Sequence, residues 1–170
     1  MKLSEILIYE TKEKPLLGLK ISGKLITDKT KDEPWPGYFA CNDNKLTSLE
    51  GAPSSVGGSF SCHNNELTSL EGSPASVGGY FVCHNNQLTS FEGIHKILKS
   101  MNGTFYADNN PLKSHVLGLL LVKGCKEVGL DNKVVEEVLN RYLPNTRGSK
   151  AVIEAQSELL DLDLEEFAQL

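Results

Sequence analysis

The residues with most chemistry to offer are four cysteines and four histidines. Cys41, Cys62 and Cys83 recur every 21 residues, with Cys125 apart. Zinc ligands must converge on a point, whereas equal spacing along a ladder of strands puts thiols in single file, about 4.8 Å apart. There is no C-x-x-C pair, so these cysteines read as small apolar core filler. His63 and His84 share the same offset and fall in one column with Asn42 and Asp108. Adjacent imidazoles could hold a weakly bound divalent ion or an anion, or respond to pH. A polar, solvated surface is the alternative and the favoured reading. No Gly-rich phosphate loop, G-x-S-x-G or H-E-x-x-H occurs, and the Gly57-Gly58 and Gly78-Gly79 pairs do not precede a helix. No catalytic residue, metal ligand or cofactor is assigned, and the chain is expected not to be an enzyme.

What positions these residues is a repeat. Phe39-Ala40-Cys41-Asn42-Asp43-Asn44-Lys45-Leu46-Thr47-Ser48-Leu49-Glu50-Gly51 returns in closely similar form from Phe60 and again from Phe81. A fourth copy starts at Phe105, delayed because the stretch from Ile94 to Asn102 is longer. A degenerate fifth carries Cys125, Val128 and Leu130, with Asn132 one residue early. Phe and Cys two apart share one side of a strand, so both point inward. The following Asn sits where the chain leaves the strand and can bond otherwise unpaired backbone groups. Pro53 and Pro74, then Val56-Gly57-Gly58 and Val77-Gly78-Gly79, suit an extended or turning convex side. The stretch from Ile94 to Met101 lacks both breakers and fits a short helix.

The first four copies fit L-x-L-x-x-N-x-L, with Phe at the first Leu position and Cys or Ala at the second. With Leu-Thr-Ser-Leu-Glu-Gly-x-Pro-x-x-Val-Gly-Gly, the pattern resembles the short leucine-rich repeats of bacterial and tailed-phage proteins over residues 36–130. It is also similar to repeats of secreted bacterial effectors that carry a ubiquitin-ligase domain. Residues 131–170 are too few for that domain and Cys125 lies inside the fifth copy, so ligase activity is not carried over. The resemblance implies an α/β solenoid with short parallel β-strands, in which each coil buries its apolar face against its neighbours.

Such a stack needs caps. Residues 1–33 are expected to supply one: Leu17, Leu19 and Ile21, a turn at Ser22-Gly23, then Leu25 and Ile26 read as a β-hairpin, while Ser4 to Tyr9 fits helix or strand. Residues 34–130 hold the repeats, with strands near 38–41, 59–62, 80–83, 104–107 and 126–130. Trp35, between two prolines, reads as an aromatic cover for the first coil or an exposed anchor. Ser114 to Val122 predicts a short helix. Residues 131–170 form the helical C-terminal cap. One helix runs from Asp131 to about Leu143, where Pro144 stops it, with Val134, Val135, Val138, Leu139 and Tyr142 on one face. Another runs from Ser149 through Leu160, with Val152, Ile153, Gln156, Leu159 and Leu160 inward, and a last turn returns Phe167 to the body. This C-terminal segment is similar to the tails of phage-encoded repeat proteins.

Net charge is −5, against binding nucleic acid by phosphate neutralisation. No apolar run is long enough for a bilayer and the N-terminus lacks a signal core, so a cytoplasmic setting is expected, that of the bacterial host if the chain is phage-encoded. Residues 151–170 carry six acidic and no basic side chains, either a solvated helix face or a dock for a basic partner.

The outward strand positions form three columns: Tyr38, Ser59, Tyr80, Thr104; Ala40, Ser61, Val82, Tyr106; and Asn42, His63, His84, Asp108. Tyrosines on a small, polar surface suit partner binding, although strand tyrosines also follow β-propensity. The expected function is non-catalytic recognition of a protein partner by Tyr38, Asn42, Ser61, His63, Tyr80, Val82, His84, Tyr106 and Asp108. If the phage resemblance holds, that partner is a host enzyme or defence factor to be inhibited. Self-assembly of the chain is one alternative, and a weak metal-dependent activity at His63, His84 and Asp108 another.

Overall fold

A computed structural model describes residues 34–143 and 148–170 in full, and the backbone alone of 16–17, 19–21 and 24–26. Chain order begins with β1 (Leu16–Leu17), β2 (Leu19–Ile21) and β3 (Lys24–Ile26). Then come β4 (Pro34–Trp35), β5 (Phe39–Ala40), β6 (Ser55–Val56), β7 (Phe60–Ser61), β8 (Ser76–Val77) and β9 (Phe81–Val82). After them follow α1 (Ile94–Ile97), β10 (Ser100–Tyr106), a 3-10 helix (Val116–Leu121), β11 (Lys123–Gly129), α2 (Lys133–Tyr142) and α3 (Ser149–Asp161). The readings for Ser4 to Tyr9, the Ser22-Gly23 turn and Pro144 lie outside the described residues.

The strands from β4 onward, with β1, make one parallel sheet flanked by the helices, an α/β architecture. Phe39 pairs with Phe60, Phe60 with Phe81, Phe81 with Phe105, and Phe105 with Val128. Copies of the repeat therefore lie side by side in register. The four phenylalanines are buried and stack in a row, with successive ring centroids 5.9, 5.2 and 5.0 Å apart. Cys41, Cys62, Cys83, Leu46, Leu67 and Leu88 are fully buried beside them. Trp35 packs edge-on against Phe39 at 5.6 Å, and its indole N–H donates to the Tyr38 carbonyl. Separately, β2 and β3 pair antiparallel, Lys20 opposite Leu25.

The Val-Gly-Gly segments begin as extended strand, one of the two forms expected of them, and their strands belong to the same sheet as the repeat strands. Ser55-Val56 and Ser76-Val77 are strands that pair with each other and run on into β7 and β9 of the same sheet. In β10 the equivalent positions are strand throughout, from Ser100 to Tyr106. The reason is close approach. The Gly78 amide donates to Val56 (2.8 Å), and a Cβ on Gly78 would lie 2.0 Å from the Gly57 carbonyl oxygen. Any side chain there would force the neighbouring repeats apart.

Buried asparagines tie one copy of the repeat to the next. Asn86 accepts from the Leu67 amide (3.0 Å) and donates to the carbonyls of Cys62 (3.1 Å) and Cys83 (3.0 Å). Asn65 and Asn110 do the same one coil earlier and one later. Each amide thus pairs backbone groups that the bend out of the strand leaves without ladder partners.

The outer edge of β11 is covered by α2. The Asn140 side chain accepts from the Val128 amide (2.8 Å) and donates to the Val128 carbonyl (2.9 Å), filling the place of a further strand. Glu136 accepts from the Leu130 amide (2.7 Å). Asn132 caps α2 by accepting from the Val135 amide.

Two helix faces depart from the sequence reading. In α2, Val135, Val138 and Leu139 are buried, but Val134 is exposed. In α3 the buried stripe is Ala151, Val152, Ala155 and Leu159, while Ile153 and Leu160 face solvent. Small alanines let α3 approach the body closely, which turns the bulkier pair outward. Gln156 is half-buried and donates to the Ala168 carbonyl (2.8 Å), and Phe167 is buried, so the last turn is fastened to the helix.

Candidate functional site on the strand face

Beyond each inward Phe-x-Cys pair, the strands present the three expected columns to one face. The first and second meet in an aromatic ridge. Tyr80 and Tyr106 are 52% and 37% exposed, and their rings touch edge to face with centroids 6.0 Å apart. They belong to different columns, so the contact is diagonal, since Tyr106 pairs in register with Val82. Tyr38 is also exposed but stands apart, with Ser59 in the coil between it and Tyr80.

Two glycines make room for the ridge, and the sequence reading did not single them out. A Cβ on Gly103 would lie 2.8 Å from Cδ1 of Tyr80, so that ring rests on bare backbone. One on Gly129 would lie 3.3 Å from Cδ1 of Tyr106 and 3.1 Å from Oδ2 of Asp108. The available signal was the column itself: Gly129 follows Tyr106 one coil later, as Val82 precedes it.

The second column needs a correction. Ser61 is 2% exposed and cannot serve as an accessible contact. Short side chains in this column sit below the level of their taller neighbours, and the Ser61 hydroxyl is taken up by Nδ1 of His63 at 2.7 Å. A serine within reach of an imidazole resembles a nucleophile and base, but a buried hydroxyl meets no substrate, and its effect here is to fix the ring. Val82 is half-buried. Thr104, in the first column, is buried too and donates to Glu127 (3.2 Å).

The third column is half-buried along its length. The imidazoles of His63 and His84 stack 4.6 Å apart with 21° between their planes. Burial holds the His63 imidazole below its ordinary value, the His84 charge adds to this, and Asp43 opposes it. Asn42 donates to Asp43. Hydrogen bonds from Asn64 first and Asn42 second hold the Asp43 carboxyl below the usual range. Asp108 lies 3.7 Å from the Lys133 ammonium. Face-to-face imidazoles direct their nitrogens along parallel planes, not toward a shared point. Among the described residues no three His, Cys, Asp or Glu side chains gather as a metal would need.

Burial also governs the cysteines. It pushes the Cys41 and Cys125 thiols up to about 12 and also raises those of Cys62 and Cys83. Thiols so protonated are poor nucleophiles.

The chain matches no protein-family model, no curated protein and no solved structure. Among the described residues no helix is long and apolar enough to cross a membrane. The face thus combines an exposed aromatic ridge, a half-buried imidazole pair and a floor of short side chains. Such a surface suits contact chemistry: large apolar area on rigid strands, ringed by polar groups.

Proposed function

We propose that this chain is a leucine-rich-repeat solenoid acting as a non-catalytic protein-recognition module, with the strand face as its binding surface. The observation that carries the reading is the Tyr80–Tyr106 ridge, two exposed aromatic rings held against each other on rigid strands. Tyrosines so placed lose little conformational freedom on binding and contribute large contact area. Tyr38, Asn42, Val82, His63, His84 and Asp108 extend the surface, and Ser61 acts beneath it by orienting His63. The repeat motif and C-terminal tail support a bacterial or tailed-phage protein working in the bacterial cytoplasm, where it blocks a host enzyme or defence factor. The net charge of −5 disfavours nucleic acid as the target. Growth by strand addition at β11 is disfavoured because Asn140 and Glu136 fill that edge.

The test is affinity capture from bacterial lysate with wild type beside a Tyr80→Ser/Tyr106→Ser variant, both checked for folding by circular dichroism. The reading expects a protein held by wild type and lost by the variant. A partner held equally by both, or none held by wild type, refutes it.

A further inference from the structure

At the α2 end of the strand face an aromatic ring and a carboxylate converge on a residue without a side chain. Gly129 lies in register with Tyr106 on the neighbouring strand. Where a Cβ would stand on it, Cδ1 of Tyr106 is 3.3 Å away and Oδ2 of Asp108 is 3.1 Å away. Both side chains therefore lean over one patch of bare backbone. The Asp108 side chain is 37% exposed, and its Oδ1 faces the Lys133 ammonium at 3.7 Å. Among the described residues no hydrogen bond reaches its Oδ2. Glu127 stands on the same side, exposed and in register with Thr104, two residues before Tyr106. It accepts from Thr104 through Oε2 (3.2 Å), which leaves Oε1 open among the described residues.

The charges around this point do not balance. Asp131 is exposed and accepts from the Asn110 amide (3.3 Å). With Asp108, Glu127 and Glu136 it faces two ammoniums, those of Lys133 and Lys126. Lys133 gives its short bonds, both 2.8 Å, to Glu136 and the Leu130 carbonyl. Lys126 is exposed where the register shifts between the partners of Gly103 and Thr104. The surplus of carboxylates favours a cation from outside and disfavours phosphate-bearing ligands. The aromatic wall narrows the choice further. A guanidinium is planar, lies against a ring and donates in a fork to acceptors on two sides, whereas an ammonium is a compact, strongly hydrated point charge.

We propose that this point is an arginine subsite: a side chain of the partner protein rests its guanidinium against Tyr106 and donates to Oδ2 of Asp108 and to Glu127. The proposal rests on the reading of the strand face as a protein-binding surface and names the chemistry that one of its contacts selects. Gly129 acts by lacking a side chain, since a methyl there would part Tyr106 from Asp108.

The test needs no partner protein. Backbone amide shifts of the full chain are followed by NMR as acetyl-Gly-Arg-Gly-amide is added, beside the same peptide carrying lysine or citrulline, the neutral isostere of arginine. The arginine peptide is expected to shift the amides of Tyr106, Asp108 and Gly129 saturably, at roughly millimolar concentration. The lysine peptide should bind severalfold more weakly, and the citrulline peptide about tenfold more weakly. Asp108→Asn/Glu127→Gln conserves shape and should weaken arginine binding about tenfold. Gly129→Ala conserves every charge and should weaken it severalfold. Tyr38→Ser, at the far end of the face, should bind as wild type. Absence of saturable shifts, shifts centred on acidic residues 161–166 instead, equal binding of the lysine or citrulline peptide, or indifference to both variants overturns the proposal. Those outcomes leave the strand-face reading standing, because that reading is judged separately by lysate capture with Tyr80→Ser/Tyr106→Ser.

Discussion

Replacing Asn65 with alanine would strip one coil junction of its buried amide. The Asn65 side-chain oxygen accepts from the amides of Asn44 (3.0 Å) and Leu46 (2.9 Å). Its nitrogen donates to the carbonyls of Cys41 (3.0 Å), Cys62 (2.8 Å) and His63 (3.2 Å). The Cys62 carbonyl keeps a partner in Asn86. The two amides and the Cys41 carbonyl are the groups at risk. A buried backbone group left unpaired costs about 1–3 kcal/mol. Taking the low end for three groups gives about 3 kcal/mol of lost stability. With a urea slope of about 2 kcal/mol/M, the midpoint should fall by roughly 1.5 M. Asn64 is the control: it is exposed, and its side chain bonds only its column neighbours Asp43 and Asn85 among the described residues. Asn64→Gly preserves the left-handed backbone (φ 54°) and should cost less than about 1 kcal/mol. Urea unfolding followed by circular dichroism reads all three proteins. An Asn65→Ala midpoint within about 0.5 M of wild type, or equal to that of Asn64→Gly, would refute the view that buried amides join the coils.

Three further outcomes follow from the geometry. Gly78→Ala puts a methyl 2.0 Å from the Gly57 carbonyl oxygen and should cost about 3 kcal/mol or prevent folding. Gly37→Ala meets nothing within 4 Å and should melt close to wild type, as thermal unfolding of both variants will report. The four thiols should be inert to a water-soluble disulfide reagent in native protein and all react in denaturant; rapid native labelling would contradict the burial described. His63 is held below its ordinary 6.5 by burial and by His84. The unfolded chain therefore binds its proton more readily, and this contribution to stability is complete above that value and lost as pH falls below it through the lower folded-state value. Urea midpoints measured from pH 7.5 to 5 should fall with pH in wild type and fall less in His63→Gln.

The strand ladder was legible because one period carries two signals. Phe and Cys two apart assign the inward side, and the 21-residue offset places successive copies next to each other, so Phe60 opposite Phe81 followed from the text. The asparagines were equally readable as partners for the bending backbone. Reading failed where relief and not identity decides exposure. Ser61 is as polar as Ser59 yet lies beneath its neighbours, and no pattern of polarity reports side-chain height. Glycines at 57 and 78 suit an extended or turning segment and close approach alike, so residue type alone leaves the choice open. Their recurrence in register with buried residues was the clue to the second. In α3 apolar residues occur on both sides, so periodicity alone ranked Ile153 and Leu160 as inward. The alanines at 151 and 155 decided the face because they let the helix lie close. Asn140 gave no sign at all, since its partner is a strand edge 12 residues away.

The shared register of β5, β7 and β9 makes each coil complementary to a copy of itself on both sides. A gene for such a chain can gain or lose whole 21-residue cassettes by unequal recombination and leave every junction of the same kind as before. Each added cassette would extend the strand face by one rung, about 4.8 Å, with fresh side chains at positions equivalent to Tyr80 and His84. The equivalents of Phe81, Cys83 and Asn86 would stay fixed by packing. Termination resides elsewhere, in the helix that carries Asn140. Length and surface can therefore change by whole repeats while the segment that covers the β11 edge stays the same.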